Sequence, residues 1–317
     1  MKKKISAIIA CYKDSQAIPI MYKRLSETFK HMRVDYEIIF VNDGSPDNTE
    51  EIVHRLVEKD GHVIGINHSR NFSSQMAFTS GMNVATGDAV VFLDGDLQDP
   101  PEMIEKFYLK WIDGYDVVYG SRIKREEPYY MQVLYKLFYR VFNKLSYVTI
   151  PLDAGDFSLI DRRVVDVLKT FPERDVFMRG LRAWVGFKQI GIPYVRPKRM
   201  FGKTTNSLVK NINWAFKGIF SFSYVPLQVM TFVSFFVFVL ALLGIIYQIL
   251  VRLFFNVTPQ GTTTILIIIL FLGALQLLGI SILGQYIAKI FEEVKMRPKF
   301  IVKSIFRHRT MTHKHNG

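Results

Sequence analysis

One cysteine, Cys11, stands among 317 residues. A disulfide framework and a thiolate zinc site are therefore excluded. Cys11 lies in an apolar run and reads as a small buried hydrophobe. No G-x-G-x-x-G and no G-x-x-x-x-G-K-[ST] occurs, which disfavours a dinucleotide fold and a P-loop ATPase. The 7 histidines are scattered, and none forms a metal-spaced pair at the carboxyl ends of the expected strands. The start "MKKKISAIIACYKD" shows no signal peptide. Its apolar stretch, Ile5 to Cys11, is short and runs into a charged turn without a small-residue cleavage site. It reads as a first strand, so the N-terminal part is expected in the cytoplasm.

Charge is missing altogether from residues 218–251 and 253–288. Each gap exceeds the roughly 20 apolar residues that cross a bilayer as a helix. Neither has the polar face of a helix packed in a soluble core. The expected organisation is a catalytic domain over 1–205, a juxtamembrane amphipathic helix over 206–224, a transmembrane helix over 225–251, an extracytoplasmic loop over 252–263, a second transmembrane helix over 264–288 and a basic tail over 289–317. The loop carries Arg252 alone, whereas the tail is rich in lysine and arginine. Basic flanks favour the cytoplasmic side, so an integral protein of the cytoplasmic (inner) membrane is expected, with the catalytic domain and tail both inside.

The net charge is +13. Much of it lies in the tail and in residues 122–144 and 196–217, where it suits an anionic bilayer surface. No nucleic-acid recognition motif accompanies it, so nucleic acid is not an expected partner. Residues 128–148 are dominated by aromatic and aliphatic side chains. Lys136, Arg140 and Lys144 fall there at i, i+4 and i+8, as in an interfacial amphipathic helix that could hold an acceptor phosphate at the membrane.

The first 120 residues alternate apolar runs with amphipathic stretches. Strands are expected at 5–11, 36–42, 62–67, 89–94 and 115–120, and helices at 16–31, 47–59, 73–86 and 101–112. Ser73 or Ser74 suits the N-cap of the third helix, and Pro100-Pro101 suits the first turn of the fourth. The alternation predicts an α/β fold with a Rossmann-like, mostly parallel sheet, whose ligands bind beyond the carboxyl ends of the strands. That rim gathers Asp14, Asp43, Arg70, Asp94, Asp96 and Arg122.

In "LDGDLQDPPE" (93–102), Asp94 and Asp96 point to the same side of an extended segment. Two carboxylates so close call for a cation, and a hard divalent ion held by carboxylates and substrate phosphates fits. Their charge is expected to be matched by a metal and a diphosphate rather than by the protein's own cations. Asp99, before Pro100, reads as a helix cap.

At this point the sequence resembles the family 2 glycosyltransferases of the GT-A fold over roughly residues 5–205. "ACYKD" (10–14), "VNDGSPDNT" (41–49), "SRNF" (69–72), "LDGDLQDPPE" and "GSR" (120–122) carry the resemblance, in that order. With "PLDAGDFSLIDRRV" (151–164), "FMRGLRAWVGF" (177–187) and two C-terminal spans, it is similar to polyprenyl-phosphate glycosyltransferases. Within these it most resembles the GtrB-type bactoprenol (undecaprenyl-phosphate) glucosyltransferases, and more distantly dolichol-phosphate mannose synthases.

The resemblance implies that Tyr12, Asp14, Val41 and Asp43 line the nucleoside pocket, with Arg70 on the same rim. It implies that Asp94, Asp96 and Gln98 hold Mg²⁺ or Mn²⁺ on the donor diphosphate. Asp156 would sit near the anomeric carbon, and Arg122 and Lys203 would meet phosphates. The family has proline where Ala10 stands, glutamate where Asp14 stands and aspartate where Asn42 stands. The implied reaction moves one sugar, glucose from UDP-glucose, onto undecaprenyl phosphate with inversion, for cell-surface glycan modification. The alternatives are mannose transfer from GDP-mannose to a dolichol or polyprenyl phosphate, and an inactive nucleotide-sugar-binding scaffold. The resemblance also implies a homo-oligomer, up to a tetramer.

A phosphate-monoester acceptor is already largely ionised at neutral pH and hardly needs a base. Asp156 is therefore expected to orient the acceptor or stabilise positive charge at the sugar. Arg182 and Trp184, in "RGLRAW" (179–184), are expected to be structural.

Overall fold

The computed structural model describes residues 2–122, 154–174, 176–201, 222–255 and 261–308. They fall into two compact units. One comprises the described residues up to 201 together with 297–308, and the other comprises 222–255 and 261–296.

The first unit is built on one sheet. Its strands are β1 (Lys4–Cys11), β2 (Asp35–Asn42), β3 (Val63–His68), β4 (Ala89–Asp94), β5 (Val117–Arg122), β6 (Ala154–Asp161), β7 (Gln189–Tyr194) and β8 (Val302–Arg307). Helices α1 (Ile18–Met32), α2 (Thr49–Lys59), α3 (Ser74–Val84) and α4 (Met103–Ile112) alternate with the first five strands, and α5 (Arg162–Thr170) and α6 (Met178–Trp184) follow β6. The strand order is β7-β5-β6-β4-β1-β2-β3-β8. β1 pairs in parallel with β2 and β4, β2 with β3, and β5 with β7. β6 runs antiparallel between β4 and β5, and β8 antiparallel along β3.

The central strands are near-continuous apolar runs because helices cover both faces of a parallel sheet. "SAIIAC" in β1 and "AVVFL" in β4 are buried throughout. Phe29, Phe40, Phe92, Phe107 and Phe157 fill the layers between sheet and helices. Burying a side chain of this size contributes roughly 1.5–3 kcal/mol. The same apolar continuity halts abruptly at the carboxyl ends, so the polar residues collect on one rim.

The strands and helices expected in the first 120 residues all form, with ends shifted by a few residues. β8 is the addition. The segment after the second apolar helix re-enters the sheet, so the catalytic unit extends past the boundary expected at 205. Asp99 is the correction. It caps no helix: α4 begins at Met103 with Glu102 at its N-cap position, and Asp99 turns inward to accept a hydrogen bond from the Tyr194 hydroxyl at 2.8 Å. Ser73 does occupy the N-cap position of α3, but its hydroxyl makes no capping bond.

The second unit holds α7 (Val225–Phe255) and α8 (Thr262–Val294). Val225–Val251 and Ile267–Val294 are long and apolar enough to cross a membrane, and their most apolar stretches are not buried. The Tyr286 hydroxyl of α8 donates to the Ser223 carbonyl at 2.8 Å. The expected amphipathic helix at 128–148, with Lys136, Arg140 and Lys144, and most of the one at 206–224 lie outside the described residues, as does Lys203.

Candidate active site at the strand ends

The loops after β1, β3 and β4 adopt strained backbone at one rim. Lys13, Ser73 and Leu97 have φ of 61°, 83° and 62°. Such conformations cost of order 1–3 kcal/mol each and persist where the surroundings enforce them. Gly44, at φ 61°, must be glycine, since a Cβ there would collide with the backbone of Arg70 and Asn71.

Two groups of carboxylates occupy this rim. Asp43 belongs to the first. Its Oδ1 accepts from the Phe72 N–H at 2.8 Å and pairs with His68 Nδ1 at 2.8 Å, and its Oδ2 accepts from the Ser73 N–H at 2.8 Å. Both oxygens thus accept hydrogen bonds within the protein, and these tie Asp43 to loop 69–73. Val41 is buried in β2 beside it. Arg70 is exposed, with its guanidinium 4.1 Å above the Phe72 ring. Tyr12 is half-buried and its N–H donates to Asp14 Oδ2 at 3.1 Å.

The second group gathers Asp14, Asp94, Asp96 and Asp99. Arg199 Nη2 lies 3.0 Å from Asp14 Oδ1. Arg196 Nη2 lies 3.8 Å from Asp94 and 3.9 Å from Asp96, and its Nε lies 4.0 Å from Asp99. The Gln98 N–H donates to Asp96 Oδ1, and its Nε2 to the Pro197 carbonyl, each at 3.1 Å. The protein's own arginines therefore do stand against these carboxylates, contrary to the sequence expectation. They come from the segment after β7, which the sheet topology brings to the same rim.

Among the described residues, those contacts leave the charge incompletely matched. The 3.8–3.9 Å separations exceed hydrogen-bond length. Burial, then the charges of Asp99, Asp96 and Asp156, push the Asp94 carboxyl up to about 8. Burial also raises Asp14 and Asp99. Among the described residues no three metal-type side chains converge. A guanidinium shared by Asp94 and Asp96 marks a place where a cation fits, with the further ligands drawn from water and phosphate.

Asp156 stands on the neighbouring strand. Continuing the β4–β6 register by two residues from Phe92↔Ser158 sets it opposite Asp94. Arg179 grips it with both ends of its fork, Nε to Oδ1 at 3.0 Å and Nη2 to Oδ2 at 3.1 Å, and Gln75 Nε2 donates to Oδ2 at 3.2 Å. Burial alone would raise its pKa, but Arg179, Arg182 and Arg122 hold it below the ordinary value. Its carboxylate is therefore oriented and favoured in its ionised form. Arg122 rests across β6, 3.0 Å from where a Gly155 Cβ would stand, and among the described residues its buried Nε has no acceptor. Arg182 is 1% exposed, donates to the Gly155 carbonyl and packs over Tyr119. Burial lowers its pKa to about 10. That is a structural placement. Trp184 is exposed, with its ring edge against Phe171.

Arg179, Arg196, Arg199, Gln75 and His68 were not singled out from sequence. Arg179 carried one signal, its i, i+3 spacing from Arg182 on a short helix. "RPKR" (196–199) was visible only as charge.

Fold and site together define a GT-A-type glycosyltransferase: a mostly parallel sheet with a carboxylate pair at the end of a central strand, a third carboxylate opposite, and arginines around them. The pattern described as Glycosyl transferase family 2 matches residues 6–168. The chain belongs to this family. It is 39% identical to the SfII prophage-derived bactoprenol glucosyl transferase of Shigella flexneri, over 96% of this chain and 99% of that one. It is 38% identical to a prophage bactoprenol glucosyl transferase homolog of Escherichia coli K12 (95% and 99%). It is also 38% identical to the glycosyltransferase sll0501 of Synechocystis (96% of each). A solved structure, the Mycobacterium tuberculosis glucosyl-3-phosphoglycerate synthase with Mn²⁺, UDP-glucose and phosphoglyceric acid, aligns over 69% of this chain and 78% of its own at 17% identity and TM-score 0.46.

Proposed function

We propose that the chain is a membrane-anchored inverting glycosyltransferase that moves glucose from UDP-glucose onto undecaprenyl phosphate. The observation that carries this reading is the juxtaposition of the under-compensated Asp94–Asp96 pair with the arginine-held Asp156 on the next strand. The near-full-length likeness to bactoprenol glucosyl transferases supports the choice of donor and acceptor.

Asp94 and Asp96, with Gln98 beside them, would hold Mg²⁺ or Mn²⁺. That ion would supply Lewis-acid stabilisation of the leaving diphosphate. Arg196 and Arg199, displaced from the carboxylates, are within reach of the same phosphates, and Arg122 adds a buried cation from β5. Tyr12, Asp14 and the loops anchored by Asp43 would receive the nucleoside. Asp156, kept ionised by Arg179, favours developing positive charge at the sugar and orients the acceptor; it removes no proton. Lys203, Lys136, Arg140 and Lys144 remain proposed phosphate and membrane contacts. The helices α7 and α8 anchor the enzyme as a hairpin, and the basic residues from Lys289 onward put both ends in the cytoplasm. Association into a homo-oligomer is part of the same proposal.

The test is mass spectrometry of the lipid product made in undecaprenyl-phosphate vesicles from a panel of nucleotide sugars. The expected product is a single hexose on the lipid phosphate, from UDP-glucose in preference to the others. Mannose transfer from GDP-mannose would overturn the donor assignment, and no product from any donor would overturn the enzymatic reading.

A further inference from the structure

Two lines of contact run from the segment after α8 to the loops of the nucleotide side. The first passes through His68, which is fully buried. The Phe300 ring stacks on its imidazole at 5.3 Å and 13°, and the Phe72 ring meets it edge-on at 5.7 Å. The neighbouring Ser69 N–H donates to the Ile301 carbonyl at 3.0 Å. His68 Nδ1 faces Asp43, a carboxylate that can only accept, so the proton on that bond belongs to the imidazole. Nε2 faces Ser80 Oγ of α3 at 2.8 Å. The imidazole is thus fixed in its plane by Phe300 and along both nitrogens by Asp43 and Ser80.

The second line is made of amides. Ser304 Oγ in β8 accepts from Asn67 Nδ2 at 3.1 Å. Asn67 Oδ1 accepts from Asn42 Nδ2 at 3.1 Å, and Asn42 Oδ1 accepts from the Ser45 N–H at 3.0 Å. Ser45 Oγ accepts from the Lys13 N–H at 2.8 Å and donates to Asp47. Asn42 and Asn67 are both buried. An aspartate at position 42 could accept from Ser45 but could not donate to Asn67. The asparagine at 42 therefore matches a partner that is itself oriented by the C-terminal strand.

We infer that residues 300–304 form an integral wall of the nucleotide side of the site, with Phe300, His68 and Asn67 as positioning residues that fix the loops carrying Asp43 and Ser45. The inference rests on the reading above only in taking these loops as the nucleotide's seat. Helix α2 gives the internal comparison: Phe306, two residues beyond Ser304, packs edge-to-face on His54 at 4.7 Å, away from the rim. Phe300→Ala and Phe306→Ala remove similar aromatic area from the same segment, but only the first touches His68.

UDP and GDP are titrated, in Mg²⁺ buffer, into the full-length detergent-solubilised chain and into Phe300→Ala, Phe300→Tyr and Phe306→Ala. The tighter nucleotide of the wild type is the readout. Phe300→Ala is expected to weaken binding between about three- and tenfold, the range of one lost aromatic stack. Phe300→Tyr should restore it, and Phe306→Ala should lower the melting temperature comparably while binding as wild type. Equal binding by Phe300→Ala, or equal weakening by Phe300→Ala and Phe306→Ala, would overturn the inference. A wild-type preference for GDP contradicts the UDP-glucose assignment and leaves this comparison readable on GDP.

Discussion

Asp43 and Asp94 end neighbouring parts of the same parallel sheet, and their surroundings differ in kind. Asp43 is surrounded by short hydrogen bonds at 2.8 Å from two backbone N–H groups and an imidazole. Among the described residues Asp94 has one arginine at 3.8 Å, three carboxylates whose charges act on it and a pKa raised to about 8. The first is already held by three hydrogen bonds within the protein. The second is a site whose charge balance is left open. The difference teaches that an acidic strand end is not by itself a binding group: what decides is whether its lone pairs are already spoken for.

The largest expected effect lies on the open side. Asp96→Asn should lower sugar transfer by at least about a thousandfold, as loss of a metal-held diphosphate demands. It should also abolish the rise in melting temperature that Mg²⁺ gives the wild type. A full metal-induced shift in the variant would break the contrast with Asp43.

Asp156→Asn should cost about 10²–10³ in rate, the range for removing one group that stabilises transition-state charge. The factor should be constant across neutral to alkaline pH. A lost basic limb in the pH–rate profile would show that Asp156 is a base after all. Because the folded protein holds its pKa below the unfolded value, its stabilising contribution is present above about pH 4 and is lost as pH falls through the folded value. Melting temperatures of wild type and variant should therefore converge in acid.

On the closed side, Asp43→Asn should act first on stability. An amide offers a donor where Ser73 N–H or His68 also donates, a mismatch worth about 1–3 kcal/mol. Weaker nucleotide binding should accompany a lower melting temperature, with most of the rate recovered at saturating donor. The smallest effect is expected outside both networks. Lys110 and Asp113 form an exposed pair at 2.9 Å, and Lys110→Ala should hardly change the melting temperature and leave transfer intact.

Much of this was legible in the sequence. The apolar runs of β1 to β5 announce a buried parallel sheet, and their abrupt polar ends announce the rim. Two charge-free stretches announce α7 and α8. The antiparallel β6 and the edge strands β7 and β8 were not read, because β6 opens on "AGD" and β7 contains a proline. β8 is a mostly exposed edge whose alternation is masked by lysine and arginine. The site was half legible for a related reason. Asp94 and Asp96 announce themselves by adjacency, whereas Arg196 and Arg199 reach them from distant positions in the chain, through strand order that no local pattern encodes. Asp99 and Asp43 show the same gap from the other side: residue type was evident, but the partners Tyr194 and His68 were not.

The most direct test of the open carboxylate pair is UDP release from UDP-glucose by the full-length chain in vesicles, with and without undecaprenyl phosphate, and with Mg²⁺ or a chelator. The account predicts release only when lipid phosphate and divalent cation are both present, and none from Asp96→Asn. Lipid-dependent release that persists in chelator and in Asp96→Asn would contradict it.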